Sequence, residues 1–177
     1  RQMCIRDRGE AMIEITTFRA DAYDRVGRNP EVTFGDTLDG DLVRRDFTIN
    51  AMAVRVDADG AQDLLDPLDG VTALLAGVID TPAAPEDSFG DDPLRMLRAV
   101  RFISQLGFRL APRVADAITR MADQIERITA ERVRMELDKL ICGEYPIDAI
   151  DAMVETGLAQ HVLPEVPGMK LTIDEHH

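Results

Sequence analysis

Apolar and polar positions follow two different periods along the chain, and the change falls near its middle. In Met12-Ile-Glu-Ile-Thr-Thr-Phe18 the β-branched and apolar residues predict a strand. Residues 19–37 are polar and broken by Gly27, Pro30 and Gly35, which predicts a loop. Leu38 to Arg45 reads as a short helix, with Asp39 and Asp41 near the positive end of its dipole. Asn50 to Val56 is apolar enough for another strand, Asp57-Ala-Asp-Gly60 is a turn, and Leu64 to Gly70 ends a further extended piece.

After Pro82-Ala-Ala-Pro85 the spacing becomes helical. Leu94, Leu97, Ala99, Val100, Phe102, Ile103 and Leu106 recur at three- and four-residue steps, Pro93 fits a first turn, and Gly107 is a stop. Further amphipathic helices are predicted over Pro112–Ile128, over Ala130–Ile141 up to a stop at Gly143, and over Ile147–Glu155 up to Gly157. Thr129-Ala-Glu-Arg132 is a weak capping signal, its acid one position early. Pro164, Pro167 and Gly168 mark residues 164–177 as a connector. Strands first and helices later is the α+β order. Two or three strands with a polar loop between them cover little apolar surface, too little for the sheet to stand alone, which predicts further strands upstream.

Composition narrows the class. With 177 residues and 45% apolar content the chain can bury a core, as one domain or a small domain with part of another. No apolar run approaches the roughly 18–20 residues of a membrane span, no leader peptide is visible, and the two Cys suggest neither disulfide framework nor zinc site. A cytoplasmic protein is the expectation. The net charge of −13 argues against a general polyanion binder. Between Pro93 and Ala115, however, there is no acid, and Arg95, Arg98, Arg101, Arg109 and Arg113 fall there. Arg suits forked contacts to phosphates and base edges. Arg1-Gln-Met-Cys-Ile-Arg-Asp-Arg8 has neither period and resembles a translated sequencing adapter, so residues 1–8 are set aside from the fold reasoning.

Two constellations carry chemistry. In Asp41-Leu-Val-Arg44-Arg45-Asp46 with Asn50, two guanidiniums, an orienting acid and an amide four residues beyond that acid match a triphosphate and a ribose. The same residue types also build a solvated ion-pair cluster at a helix end. Asp92 and Arg95, three apart, would share one helix face. A carboxylate that accepts beside a guanidinium that donates matches the amino donor and ring-nitrogen acceptor shared by cytosine and adenine, and mismatches uracil and guanine. The plainer alternative is an i,i+3 surface pair worth a few tenths of a kcal/mol. Arg98 and Arg101 continue the series at three-residue steps.

The run Asp41-Leu-Val-Arg-Arg-Asp-Phe-Thr-Ile-Asn-Ala-Met-Ala53 resembles the signature of the class II nucleotidyltransferases, the family of CCA-adding tRNA enzymes and bacterial poly(A) polymerases. Ile13-Glu-Ile-Thr-Thr-Phe-Arg19 is similar to the family's strand before a loop, and Asn29-Pro-Glu-Val-Thr-Phe-Gly35 to that loop. Asp91-Asp-Pro-Leu-Arg-Met-Leu-Arg-Ala-Val-Arg-Phe102 with Gln105-Leu-Gly-Phe108 resembles its nucleotide-selecting helix, with Asp91 where the family usually has Glu. The resemblance implies a partial palm of small mixed sheet and helices over residues 9–81, then an all-α nucleotide-selecting and RNA-binding region over 82–163.

It also implies transfer of CMP and AMP from CTP and ATP to a tRNA 3′ end. Asp41, Arg44, Arg45, Asp46, Asn50, Asp92, Arg95, Arg98 and Arg101 would be the nucleotide-binding residues. For Arg101 a helix face packed on acidic neighbours is the alternative. Catalysis in the family uses Mg2+ held by acids of an Asp-x-Asp pair beside a Gly-Gly-x-Val-Arg-Asp loop. Neither motif is in the 177 residues, and Asp57-Ala-Asp59 reads as a turn. Glu14 matches the family's third carboxylate, as a catalytic residue and metal ligand, or is the polar face of an edge strand. By itself, then, the chain is expected to bind nucleotide weakly without catalysis. Asp174-Glu-His-His177 resembles the lead-in to an HD-type domain, and the terminal His pair is assigned no role. Poly(A) polymerase, a CC-only or A-only enzyme, and a non-catalytic RNA-binding or assembly module are the rivals.

Overall fold

The computed structural model describes residues 37–169 in full and, before them, the backbone of four strands. The chain forms two compact units, Arg1–Arg44 and Arg45–His177. In the first, β1 (Met3–Arg6) pairs antiparallel with β2 (Met12–Ile15), placing Cys4 opposite Glu14. A strand therefore occupies part of the segment set aside above. A second antiparallel pair joins β3 (Arg19–Ala22) to β4 (Glu31–Phe34), where the sequence predicted only loop. Glu31-Val-Thr-Phe34 does alternate polar with apolar, but four residues flanked by Pro30 and Gly35 are too few for the period to stand out. Helix α1 (Leu38–Val43) follows, its start capped by Thr37 Oγ1, which accepts from the Gly40 amide at 3.3 Å.

The second unit opens with a 3₁₀ turn at Thr48–Asn50, and only then β5 (Ala53–Val56). The strand predicted from Asn50 thus starts three residues late. The cause is local: the Asp46 carboxylate accepts from the Phe47 amide and from Asn50 Nδ2, and such side-chain bonds compete with a ladder. Strand β6 (Gln62–Leu65) pairs antiparallel with β5 across the Asp57–Gly60 turn. Leu64 to Gly70 does not simply end an extended piece, because helix α2 (Gly70–Ala76) begins at its last residue. Asp66 caps it, with its two carboxylate oxygens accepting from the Gly70 and Val71 amides at 2.6 and 2.9 Å. Only glycine fits at position 70, where a Cβ would stand 2.4 Å from the Thr48 carbonyl oxygen.

Strand β7 (Val78–Ile79) pairs parallel with β8 (Arg109–Leu110), a short strand within the region expected to be all helical. Helix α3 (Pro85–Asp91) starts on a proline and was not predicted. Helix α4 (Leu94–Leu106) has the predicted bounds and ends at Gly107, whose φ is 66°. Helix α5 (Pro112–Met121) gives way to a 3₁₀ stretch over Ala122–Arg127 rather than running on to Ile128. Helices α6 (Ala130–Ile141) and α7 (Pro146–Glu155) follow as predicted. Thr129 precedes α6 without a side-chain cap bond, in line with its misplaced acid. Short helix α8 (Ala159–Val162) falls within the region expected to be helical, and α9 (Glu165–Gly168) occupies what was read as the start of a connector. The His176-His177 pair lies outside the described residues.

The architecture is α+β, and α4 is the spine of the second unit. Its Leu97, Val100 and Ile103 are buried with Leu140 of α6, Met153 of α7 and Ile118 of α5. Phe47 is fully buried and meets Phe102 edge-on, ring centroids 5.6 Å apart at 89°, which ties the turn before β5 to α4. Helices α4 and α6 approach closely at Ser104, whose hydroxyl donates to the Leu140 carbonyl while its own carbonyl accepts from Tyr145 N at 2.8 Å. No helix among the described residues is long and apolar enough to cross a membrane.

Candidate functional site

Asp46 is the polar hub of the second unit. It is 8% exposed, too buried to be left uncompensated. Its Oδ1 accepts from Phe47 N at 3.0 Å and from Asn50 Nδ2 at 3.2 Å. Its Oδ2 stands 2.6 Å from Arg98 Nη2, a charge contact without hydrogen-bond alignment. The spacing Asp46-x-x-x-Asn50 needs the 3₁₀ turn between them to bring the amide back onto the acid. Asp46 and Asn50 from the first constellation are thereby joined to Arg98 from the second.

The three-residue steps of Arg95, Arg98 and Arg101 drift by about 60° each around an α-helix. They consequently reach three different neighbours. Arg95 Nη1 donates to Ser88 Oγ of α3 at 2.8 Å, and Arg98 goes to Asp46. Arg101 turns to α6, with Nε 2.8 Å from Glu136 Oε2 and its guanidinium 4.4 Å from the Phe102 ring centroid. Both partners of that pair are about nine-tenths buried, and Lys139 adds a second cation 3.5 Å from Glu136. Burial pushes the Arg101 guanidinium below its ordinary value, against the opposing pull of Glu136. The packed-face alternative for Arg101 describes these contacts.

Asp92 does not share a helix face with Arg95. It lies one residue before Pro93, and a residue preceding proline is pushed out of the helical region; its φ and ψ are −141° and 98°. The two are linked instead through the backbone, Arg95 N donating to the Asp92 carbonyl at 3.0 Å. The Asp92 carboxylate accepts from Leu94 N at 3.2 Å through Oδ1 and from Arg132 Nη2 at 2.8 Å through Oδ2. With its side chain 25% exposed and about four lone-pair sites on a carboxylate, Asp92 can still accept from a ligand.

Arg45 is exposed at the start of this unit. Asp41 and Arg44 belong to the first unit, Asp41 in the first turn of α1 and Arg44 as its C-cap. Glu14 lies on β2, and its side chain is outside the described residues. Asp57 and Asp59 are turn residues, Asp59 Oδ1 accepting from Ala61 N at 3.0 Å and Asp57 facing Arg55 at 3.5 Å. Among the described residues no three His, Cys, Asp or Glu side chains gather where a metal ion could be held.

Sequence reasoning missed Ser88, Arg132 and Glu136. Arg132 and Glu136 are one helical turn apart, so both fall on the face of α6 that meets α4. Their spacing beside Val133, Leu137 and Leu140 was the available signal. Ser88 had none, because α3 itself was not predicted.

Known proteins resemble this chain in sequence and in fold. A family profile described as "Poly A polymerase head domain" matches residues 1–80. A second, described as "Probable RNA and SrmB- binding site of polymerase A", matches residues 107–169. A CCA-adding enzyme of Anoxybacillus flavithermus is 41% identical over 158 residues, covering 89% of this chain and 38% of that protein. One from Geobacillus stearothermophilus is 42% identical over 156 residues, covering 88% and 37%. The crystal structure of Bacillus stearothermophilus CCA-adding enzyme in complex with CTP superposes with a TM-score of 0.76 at 39% identity, covering 89% of this chain and 36% of that one. The Thermotoga maritima CCA-adding enzyme complexed with tRNA superposes at 0.67 and 35% identity, covering 73% and 32%. The chain thus spans a little over a third of the length of the curated relatives.

Proposed function

The chain belongs to the nucleotidyltransferase family of CCA-adding enzymes and poly(A) polymerases, and from that premise we propose that it is the nucleotide-selecting part of a CCA-adding tRNA nucleotidyltransferase. The reading makes residues 9–81 a partial palm and 82–163 the nucleotide-selecting and RNA-binding region of a cytoplasmic enzyme. Its substrates are CTP, ATP and a tRNA 3′ end. The observation that carries it is the convergence of Asp46 and Asn50 of the signature turn on Arg98 of α4, the helix whose N-terminal end also carries Asp92 and Arg95.

Each group has a task that its chemistry fits. Arg98, already poised on Asp46 and 36% exposed, offers charge-assisted bonds to phosphate oxygens. Asn50 and Asp46 supply a donor and acceptors for a ribose hydroxyl. Asp92 accepts from the exocyclic amine of cytosine or adenine while Arg95 donates to the adjacent ring nitrogen. Arg132 holds Asp92 in place for that reading. Arg44, Arg45 and Asp41 add charge along the same signature run. Arg101 serves from behind by fixing α4 on α6. Glu14 is the residue of this chain that would help hold the family's divalent metal, taken as Mg2+, which when bound would supply activation of the attacking hydroxyl and charge neutralisation of the leaving phosphates.

The test is calorimetric titration of the chain with CTP, ATP, UTP and GTP. Binding of CTP and ATP in preference to UTP and GTP supports the reading. Equal binding of all four, or of none, overturns it. The names of the two family profiles keep poly(A) polymerase as the second reading. Binding of ATP with exclusion of CTP would favour that enzyme.

A further inference from the structure

Arg113 lies outside every motif above, at the second position of α5, yet one guanidinium makes three bonds to the segment that leaves β7. Its Nε donates to Asp80 Oδ1 at 2.8 Å, its Nη2 to the Thr81 carbonyl at 2.6 Å and its Nη1 to the Ala83 carbonyl at 3.3 Å. The held segment is also hydrogen-bonded within itself. Thr81 is fully buried, its amide donating to Asp80 Oδ1 at 2.9 Å and its hydroxyl to the Ala83 carbonyl at 2.7 Å. The β7–β8 ladder supports it from the same side, with Ala111 N donating to the Ile79 carbonyl at 3.0 Å.

On its other side that segment holds the signature turn. The Asp80 carbonyl accepts from Thr48 N at 2.8 Å and from Thr48 Oγ1 at 3.3 Å. Thr48 is buried and is the first residue of the 3₁₀ turn that returns Asn50 to Asp46. A continuous strut therefore runs from the α5 guanidinium through residue 80 to the turn that carries the proposed ribose-binding groups. A rigid fork with five donors can engage one carboxylate and two carbonyls at once, which a Lys ammonium on a flexible stem cannot.

We propose that Arg113 is a positioning residue for nucleotide binding: through Asp80 and Thr48 it sets where Asn50 and Asp46 stand, and so couples α5 to the nucleotide site. The nucleotide consequence rests on the function proposed above; the strut itself does not. The experiment compares the whole chain with Arg113→Ala, Arg113→Lys and Arg120→Ala, by amide hydrogen exchange and by CTP titration well below the unfolding temperature. Arg120 is the control, because it sits on the same helix and pairs with Glu86 instead.

Loss of the strut should speed exchange at the Thr48 and Asn50 amides about 3- to 10-fold and weaken CTP by a similar factor, the range expected for a hydrogen bond's net contribution. Arg113→Lys should fall between the wild type and Arg113→Ala, keeping the comparison readable if the alanine variant does not fold. Arg120→Ala should change neither readout. Unchanged exchange in Arg113→Ala overturns the inference. Faster exchange with CTP affinity intact also overturns it, because Arg113 would then be a structural anchor alone. A wild-type chain that binds no CTP overturns the function proposed above, while the exchange arm still decides the strut.

Discussion

Arg98 of α4 and Asp46 of the signature turn stand 2.6 Å apart, although 52 positions separate them in sequence. The contact joins a motif placed near strands to a motif placed on a helix. It also sets two demands in opposition, since the Asp46 carboxylate must orient Asn50 and neutralise Arg98 together. Asp46→Ala should therefore cost stability as well as binding. Removing a buried acceptor that serves two donors and an ion pair should cost about 1–3 kcal/mol, read as a lower denaturation midpoint. CTP affinity should fall by at least about tenfold, some 1.4 kcal/mol. Asp46→Asn keeps one acceptor for the Phe47 amide and should lose less stability, but comparable affinity. Calorimetry and urea denaturation on the same samples separate the two effects.

Asp92 gives a different signature. Its Oδ1 accepts from Leu94 N beside the N-terminus of α4, as a capping residue does, and its Oδ2 is held by Arg132. Asp92→Ala should cost about 1 kcal/mol from the lost cap. If the carboxylate reads the base edge, the same change should collapse the preference for CTP over UTP to within about threefold, the residual that a fraction of a kcal/mol allows. Arg132→Ala should reduce that preference partly, because the acid remains but is no longer fixed. Titrations with the four nucleotides check both variants; an unchanged preference in Asp92→Ala would confine the residue to capping.

Much of this was legible in the chain because the long elements carry strong periods. Helices α4, α6 and α7 have the predicted stops, since Gly107, Gly143 and Gly157 interrupt clear 3.6-residue patterns. What escaped was short or set by side chains. Helix α3 has seven residues between Pro85 and the Asp92-Pro93 pair, too few for a period to declare itself. The 3₁₀ turn after Asp46 is closed by its own backbone bonds and reinforced by Asp46 side-chain bonds that residue spacing alone does not reveal. The site was legible as two motifs but not as one object. Linear spacing placed Asp92 and Arg95 on one helix face, whereas the proline between them moves Asp92 off the helix. Nor does spacing reveal that equal three-residue steps send Arg95, Arg98 and Arg101 to three separate neighbours.

Gly143 illustrates how closely α4 and α6 must meet to hold that arrangement. A Cβ added there would lie 2.1 Å from Ser104 Oγ and 2.6 Å from the Ser104 carbonyl oxygen, so backbone must shift to admit it. Gly143→Ala should destabilise the protein by about 1–3 kcal/mol, the usual cost of overpacking. Ser104→Ala alone removes a buried donor to the Leu140 carbonyl and should cost about 1 kcal/mol. Because the backbone oxygen remains in the double variant, relief should be partial. Thermal denaturation of the two singles and the double measures the coupling, and full additivity would argue against the close approach.

The Arg101–Glu136 pair offers the sharpest separation of a structural from a ligand-binding arginine. Both side chains are about nine-tenths buried, and their charges are compensated chiefly by one another and by Lys139. Arg101→Ala leaves the buried Glu136 carboxylate with only the half-exposed Lys139 at 3.5 Å, and breaking one side of a buried pair costs up to about 3–5 kcal/mol. Replacing both by apolar residues of similar volume, Arg101→Met with Glu136→Leu, removes the two desolvation penalties together and should restore stability to within about 1 kcal/mol of the wild type. Nucleotide affinity then discriminates between roles. If Arg101 only fixes α4 on α6, the double variant should bind CTP within about twofold of the wild type, since the equivalent of a few tenths of a kcal/mol is all that repacking leaves. If Arg101 instead reaches the phosphates, stability returns in the double variant while affinity stays lost. Urea denaturation paired with CTP titration on the single and double variants decides between them.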